Sequence, residues 1–149
     1  MTTPENAQPV PDYVYCHTFT ISPAVIDENG HVNNVHYVQW MQDVAVRHYE
    51  AIGGVPPTQA IGATWVVRSH TIEYLRPAFA GEELEVRTWV QNLRRVRSLR
   101  RYEFIRKLDG KLLVKGETDW VFVDVKTGYP VAIPEDIVNL FPRLPEEKS

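Results

Sequence analysis

The chain has 149 residues, a formal net charge of −3 and a single cysteine, Cys16. That length allows one domain, which buries roughly 68–70% of its unfolded surface and needs no covalent staple. One cysteine excludes an internal disulfide, the acidic balance gives no support for bulk nucleic-acid binding, and no run nears the ~18 apolar residues that span a bilayer.

Residues 1–12 are polar and carry Pro4, Pro9 and Pro11, which reads as an arm; nothing there resembles a charged-then-apolar leader, so a cytoplasmic location is expected. Residues 13–141 form the expected domain and 142–149 a tail with Pro142 and Pro145. Tyr13 to Ile21 alternates aromatic and small polar residues and predicts a strand. A helix is predicted from about Asn34 to Ile52, with Val38, Met41, Ala45, Tyr49 and Ile52 on its apolar stripe and Val44 widening it. His36, Gln39, Asp43, Arg47 and Glu50 fall on the opposite face, where Asp43 and Arg47 have ion-pair spacing. Asn33 or Asn34 can cap this helix, and Gly53-Gly54 followed by Pro56-Pro57 stops it.

Further strands are predicted over Gly62 to Leu75 and over Glu83 to Gln91, the latter with Leu84, Val86 and Val90 on one face. Two more, Leu99 to Lys107 and Lys111 to Val125, flank Asp109-Gly110, which signals a two-residue type I′ turn. No proline lies between Glu82 and Val125, as central strands require. Lys126-Thr127-Gly128 reads as a turn and Glu135 to Phe141 as a short helix. One amphipathic helix beside antiparallel strands gives an α+β layered domain. Its sheet edges stay open and invite pairing, so a homodimer, possibly a tetramer, is expected, with sites shared across the interface.

The segment Asp27-Glu28-Asn29-Gly30-His31-Val32-Asn33-Asn34-Val35-His36-Tyr37 packs carboxylate, amide and imidazole groups into the loop feeding the helix. A helix N-terminus presents free N–H donors and partial positive charge, which can polarise a carbonyl and stabilise an oxyanion. A carboxylate base beside such donors is what acyl transfer needs. Asp, Asn and Gly are also ordinary turn and cap residues, and a helix-entry turn could use all of them without catalysis.

The pattern Asp27-x-Asn29-x-His31-Val32-Asn33-Asn34, followed by Tyr37 and Trp40, resembles the signature of the hotdog-fold thioesterases. In pattern it is similar to the plant acyl-ACP thioesterases, and more widely to the 4-hydroxybenzoyl-CoA thioesterase branch. Thr71 to Pro77 with Gly81-Glu82, and the Asp124 to Pro134 segment, resemble later elements of the family, so the likeness runs from about Tyr13 to Phe141. It implies a hotdog fold, one long central helix wrapped by an antiparallel sheet of five to six strands. It also implies hydrolysis of an acyl-CoA or acyl-ACP thioester without metal or cofactor. Asp27, Asn29 and His31 would then be the catalytic set. Asp27 either activates water or attacks the thioester to give a mixed anhydride. Asn29 would hold Asp27 or the water, and His31 would bond the water, the carboxylate or the leaving sulfur. Gly30 allows close backbone approach, and N–H groups at Asn33, Asn34 and Val35 are the oxyanion candidates. Tyr37 matches a family tyrosine and is a substrate-binding candidate, although packing is its plainer role.

The departures are informative. Plant acyl-ACP thioesterases carry two hotdog repeats per chain and this chain has one, which again implies a dimer. Pro77-Ala78 stands where those enzymes have a Glu-Cys pair. The branch with a mid-helix carboxylate matches poorly, since Asp43 falls on the polar face.

Other chemistries lack a pattern. No G-x-S-x-G surrounds Ser22, Ser69 or Ser98, no phosphate-cradling glycine motif occurs, and His17, His31, His36, His48 and His70 show no paired metal-ligand spacing. His48 reads as a core or boundary residue. Arg94, Arg95, Arg97, Arg100 and Arg101 form the densest charge cluster: either a solvated hairpin or, through Arg94, Arg95 and Arg97, a grip on the phosphates and adenine of coenzyme A. Nucleic acid comes third. A hotdog dehydratase and a non-catalytic acyl-CoA-binding module are the remaining alternatives.

Overall fold

The computed structural model describes residues 10–142 and 144, so most of the expected arm and tail lies outside the described residues. Five strands form one antiparallel sheet: β1 (Tyr15–Thr20), β2 (Ala63–Tyr74), β3 (Glu83–Leu93), β4 (Arg97–Arg106) and β5 (Leu112–Asp124). Their spatial order is β1-β3-β4-β5-β2, which leaves β1 and β2 as edges. The long helix α1 (Val35–Ala51) lies on one face, joined to β2 by α2 (Val55–Ala60); α3 (Glu135–Val138) follows the last strand. This is the hotdog arrangement that the resemblance implies.

The alternating sequence of β3 and β4 drives the packing. Leu84, Val86, Tyr102 and Phe104 point inward and meet Tyr37, Met41, Val44 and Ala45 of α1. Burying each large apolar side chain contributes about 1.5–3 kcal/mol. Gly116 of β5 sits directly under the helix: a Cβ there would come within 2.8 Å of the Met41 sulfur. A second cluster, around Ala63, Val90, Phe122, Ile137 and Phe141, closes the other end of the sheet.

Five local expectations are corrected. The buried stripe of α1 is Tyr37, Met41, Val44, Ala45 and His48, rotated from the predicted Val38–Ala45–Tyr49 line because a tyrosine and a histidine face the core. Gly53-Gly54 does end α1, but Pro56-Pro57 opens α2 instead of a loop, since the first helical turn has no N–H bonds for proline to break. Asp109-Gly110 is not a type I′ turn: only Gly110 has positive φ (69°), and its N–H donates to the Arg106 carbonyl at 2.8 Å in a longer turn. Asp43 accepts from Gln39 at 2.8 Å rather than pairing with Arg47. The terminal helix is shorter than expected, ending at Val138.

Candidate functional site

The chain leaves β1 at Thr20, makes a 3-10 turn over Pro23–Val25, and reaches α1 through the loop 26–34. Val32 anchors this loop. Its side chain is buried in the main core, and its N–H donates to the Ala78 carbonyl at 2.9 Å. Asn33 N–H donates to the Val25 carbonyl at 3.0 Å, and Ile26 bridges Val32. Between those anchors Asp27 to His31 forms a tight turn. The Asp27 N–H donates to the His31 carbonyl and the Gly30 N–H to the Asp27 carbonyl, both at 3.0 Å. Gly30 has φ of 82°, which a side chain would strain.

Within that turn the Asp27 carboxylate is half-buried, and its Oδ1 accepts from the Asn29 N–H at 2.9 Å. Oδ2 has no hydrogen-bond partner among the described residues. Asn29 therefore holds Asp27 through its backbone, while its exposed side chain and the half-buried His31 ring make no bond to the carboxylate. The expected set is brought together in one turn, but the contact between Asp27 and Asn29 is a main-chain one.

The helix entry is more occupied than its sequence suggests. Asn34 holds the N-cap position without a side-chain bond, and Asn33, one residue before it, supplies the capping side chain: its Oδ1 accepts from the Val35 N–H at 3.1 Å. His36 N–H goes to the Asn33 carbonyl and Tyr37 N–H to the Asn34 carbonyl. Of the three N–H groups expected to face a carbonyl oxygen, those of Asn33 and Val35 are thus engaged. The Asn34 N–H alone has no acceptor among the described residues. Tyr37 packs into the core, the plainer of its two expected roles. It is 2% exposed and packs edge-on against Trp40, Tyr74 and Phe104, and burial first, then Tyr74 and Glu82, push its phenol up to about 12.

The arginine cluster divides. Arg94 and Arg95 lie exposed on the β3–β4 hairpin, which closes through Arg94 N–H to the Arg97 carbonyl at 2.8 Å. Arg97 and Arg101 lie beside Asp119 and Glu117 of β5, at 3.9 and 3.0 Å. Arg100, one residue out of phase, is 4% exposed and reaches His48 Nδ1 at 2.8 Å. The period of two along β4 separates inward from outward arginines. The hairpin is also far from Asp27. The Asp27 loop is tied to the Ala78–Glu82 turn before β3, and ten strand steps, about 33 Å, separate Glu83 from Leu93.

Sequence reasoning missed the pair Val32–Ala78 and the hydroxyl of Tyr74, which donates to the Asn34 carbonyl at 3.3 Å. Pro77-Ala78, noted as a departure from the plant pattern, could have signalled that this turn serves the loop through its backbone. Among the described residues no group of three or more His, Cys, Asp or Glu could hold a metal, and no helix is long and apolar enough to cross a membrane.

The fold recurs widely among solved structures. A hypothetical protein, TT1821, from Thermus thermophilus is 27% identical, with a TM-score of 0.75 over 85% of this chain and 95% of that one. The DHNA-CoA thioesterase of Staphylococcus aureus is 22% identical (TM-score 0.73, 80% of each chain). The protein SAV2348 of Staphylococcus aureus, solved in complex with CoA, is 18% identical (TM-score 0.80, 95% and 94%). No curated protein sequence matches the chain. A family model, by contrast, matches residues 21–141, which span the Asp27 turn and strands β2 to β5. The chain belongs to the thioesterase-like superfamily.

Proposed function

We propose that this chain hydrolyses an acyl-CoA or acyl-ACP thioester, with Asp27 as the general base or nucleophile. Superfamily membership gives the reaction class. The observation that carries the assignment is the Asp27 carboxylate itself: one oxygen is fixed by the Asn29 N–H, the other is without a partner, and the same loop ends at the unengaged Asn34 N–H. A fixed carboxylate can draw a proton from water or attack a carbonyl carbon, and a free N–H at a helix entry can donate to the carbonyl oxygen as negative charge develops on it. Asn29 and His31 belong to the same turn, and their side chains would bond the water or the leaving sulfur. Coenzyme A is favoured as carrier, because exposed guanidinium groups at Arg94 and Arg95 suit phosphate, and a protein of the same fold binds CoA.

The test is a panel of acyl-CoA and acyl-ACP thioesters read by free-thiol release. Asp27→Asn keeps an oxygen that can accept from Asn29 N–H, so the turn survives while the charge is lost. On the best thioester kcat should fall roughly 10²–10⁴-fold, the scale of a positioned base. Glu28→Gln, one residue out of phase and exposed, should be nearly silent. A folded Asp27→Asn enzyme working at close to the wild-type rate would return the segment to a helix-entry turn.

A further inference from the structure

At the end of α1 remote from Asp27 lies a cavity of about 230 Å³ that the hydrolytic reading does not use. Its walls are mostly apolar, with Ala45, Tyr49, Ala63, Trp65 and Phe141 from the helix, the start of β2 and the end of the domain. Two inward residues of β4, Ser98 and Arg100, also line it, and each is 4% exposed. The guanidinium is the anomaly. Nη1 donates to His48 Nδ1 at 2.8 Å and lies 3.2 Å from Thr88 Oγ1, both neutral partners. No carboxylate among the described residues lies within ion-pair distance, and Nε and Nη2 have no acceptor there. The indole N–H groups of Trp65 and Trp120, both in the cavity wall, are buried without a partner among those residues. Burial pulls Arg100 down only to about 10, so it stays a cation at neutral pH.

A buried cation facing neutral groups costs several kcal/mol unless an anion completes it. The cavity falls below the ~300 Å³ lower end of drug-sized sites, so its occupant is one ring or a short chain. We propose that this cavity binds a small apolar carboxylate, its acid group on Arg100 and Ser98 and its body against Tyr49, Trp65 and Phe141. Such an acid is the class that thioester hydrolysis releases; only this choice of source rests on the hydrolytic reading. The site is separate from the Asp27 turn of the same chain.

Benzoate is the probe, with benzyl alcohol as the neutral control. Because Trp65 and Trp120 line the cavity, binding is read by tryptophan fluorescence and by thermal shift of the full-length protein. Benzoate should give a saturable fluorescence change and a raised Tm, and benzyl alcohol should bind roughly 10–100-fold more weakly, the scale of a charge-assisted hydrogen-bonded pair. Folded Arg100→Met should lose the benzoate response. Should that variant not fold, Ser98→Ala keeps the guanidinium and should weaken benzoate about fivefold. Equal responses to the two probes, no response to benzoate, or an unchanged benzoate response in folded Arg100→Met or Ser98→Ala would overturn the proposal. No thioester is used, so the outcome is independent of whether Asp27 hydrolyses one.

Discussion

His48 shows how one residue can link core packing to pH. It is buried in α1, stacked on Tyr15 at 5.2 Å, and its Nδ1 accepts from Arg100. Accepting at Nδ1 requires that nitrogen to be unprotonated, and burial first, then the charge of Arg100, lower the imidazole to about 4. Unfolded, the same ring takes up its proton near the ordinary 6.5. As pH falls from about 6.5 towards 4 the unfolded state therefore binds a proton that the folded state refuses, and stability is lost across that window and levels below it. The loss should reach about 3 kcal/mol at most, from the shift in pKa. Denaturant unfolding at a series of pH values should show it, and His48→Gln should flatten that part of the profile; an identical profile in the variant would remove His48 as the cause. At this scale the sequence was most legible where chemistry is local. The Asp27 turn holds its own carboxylate by a bond two residues long, so the motif alone brings it together. Tyr37, Arg100 and the free Asn34 N–H depend on which way a side chain or amide faces after the helix docks, and no local pattern records that.

Elements were legible where one period ran uninterrupted. The strand Glu83–Leu93 matches its alternating run within a few residues, and Leu112–Asp124 matches the proline-free run after Asp109-Gly110. Errors arose where one residue type serves two geometries: proline both ends and begins helices, and Asp-Gly serves turns of several lengths. The seam between α1 and the sheet rests on a residue that carries no side chain. Gly116 pairs with Tyr102 and Ile72 at mid-sheet and lets fully buried Met41 approach the backbone. Gly116→Val would press its methyl groups into Met41, which has no open space to move into. We expect a destabilisation of about 1–3 kcal/mol, the cost of overpacking a filled core, measured by chemical denaturation. Gly116→Ala with Met41→Ala should recover part of it, since the truncated side chain makes room. If Gly116→Val is as stable as the parent, the seam is looser than its contacts indicate.

A single chain leaves both its sheet edge and its candidate site uncovered. β2 is a twelve-residue edge with Val66 42% exposed, and Val46, which lines the same cavity as its first residues, is 50% exposed. The Asp27 turn is open along Glu28 to Gly30. Pairing β2 with β2 of a second copy about a two-fold axis would cover that edge, as the homodimer expectation requires. Antiparallel pairing sets the end of one strand against the start of the other. Tyr74, at the end of β2, bonds Asn34 of the site loop, whereas Val66, near the start, lies in one row with Val121 and Arg97. The arginine hairpin of one copy would thus approach the Asp27 turn of the other, closing a gap that spans the length of β3 within one chain. Light scattering at micromolar concentration should give at least twice the 17.2 kDa chain mass. Complementation decides where the arginines act. Asp27→Asn should lower kcat by roughly 10²–10⁴-fold, and the triple variant of Arg94, Arg95 and Arg97 to Ala should raise KM for CoA thioesters with little change in kcat, because contacts remote from the carbonyl bind ground and transition states alike. Mixed and allowed to exchange subunits, the two parents, one lacking the base and the other weakened in carrier binding, form heterodimers with one intact site, Asp27 from one chain and arginines from the other. At low substrate the mixture should recover about a quarter of wild-type kcat/KM, since half the dimers are mixed and each holds one complete site of two. Activity that only averages the parents would place hairpin and base in the same chain or remove the arginines from carrier binding, and a folded, active monomer would exclude the shared site altogether.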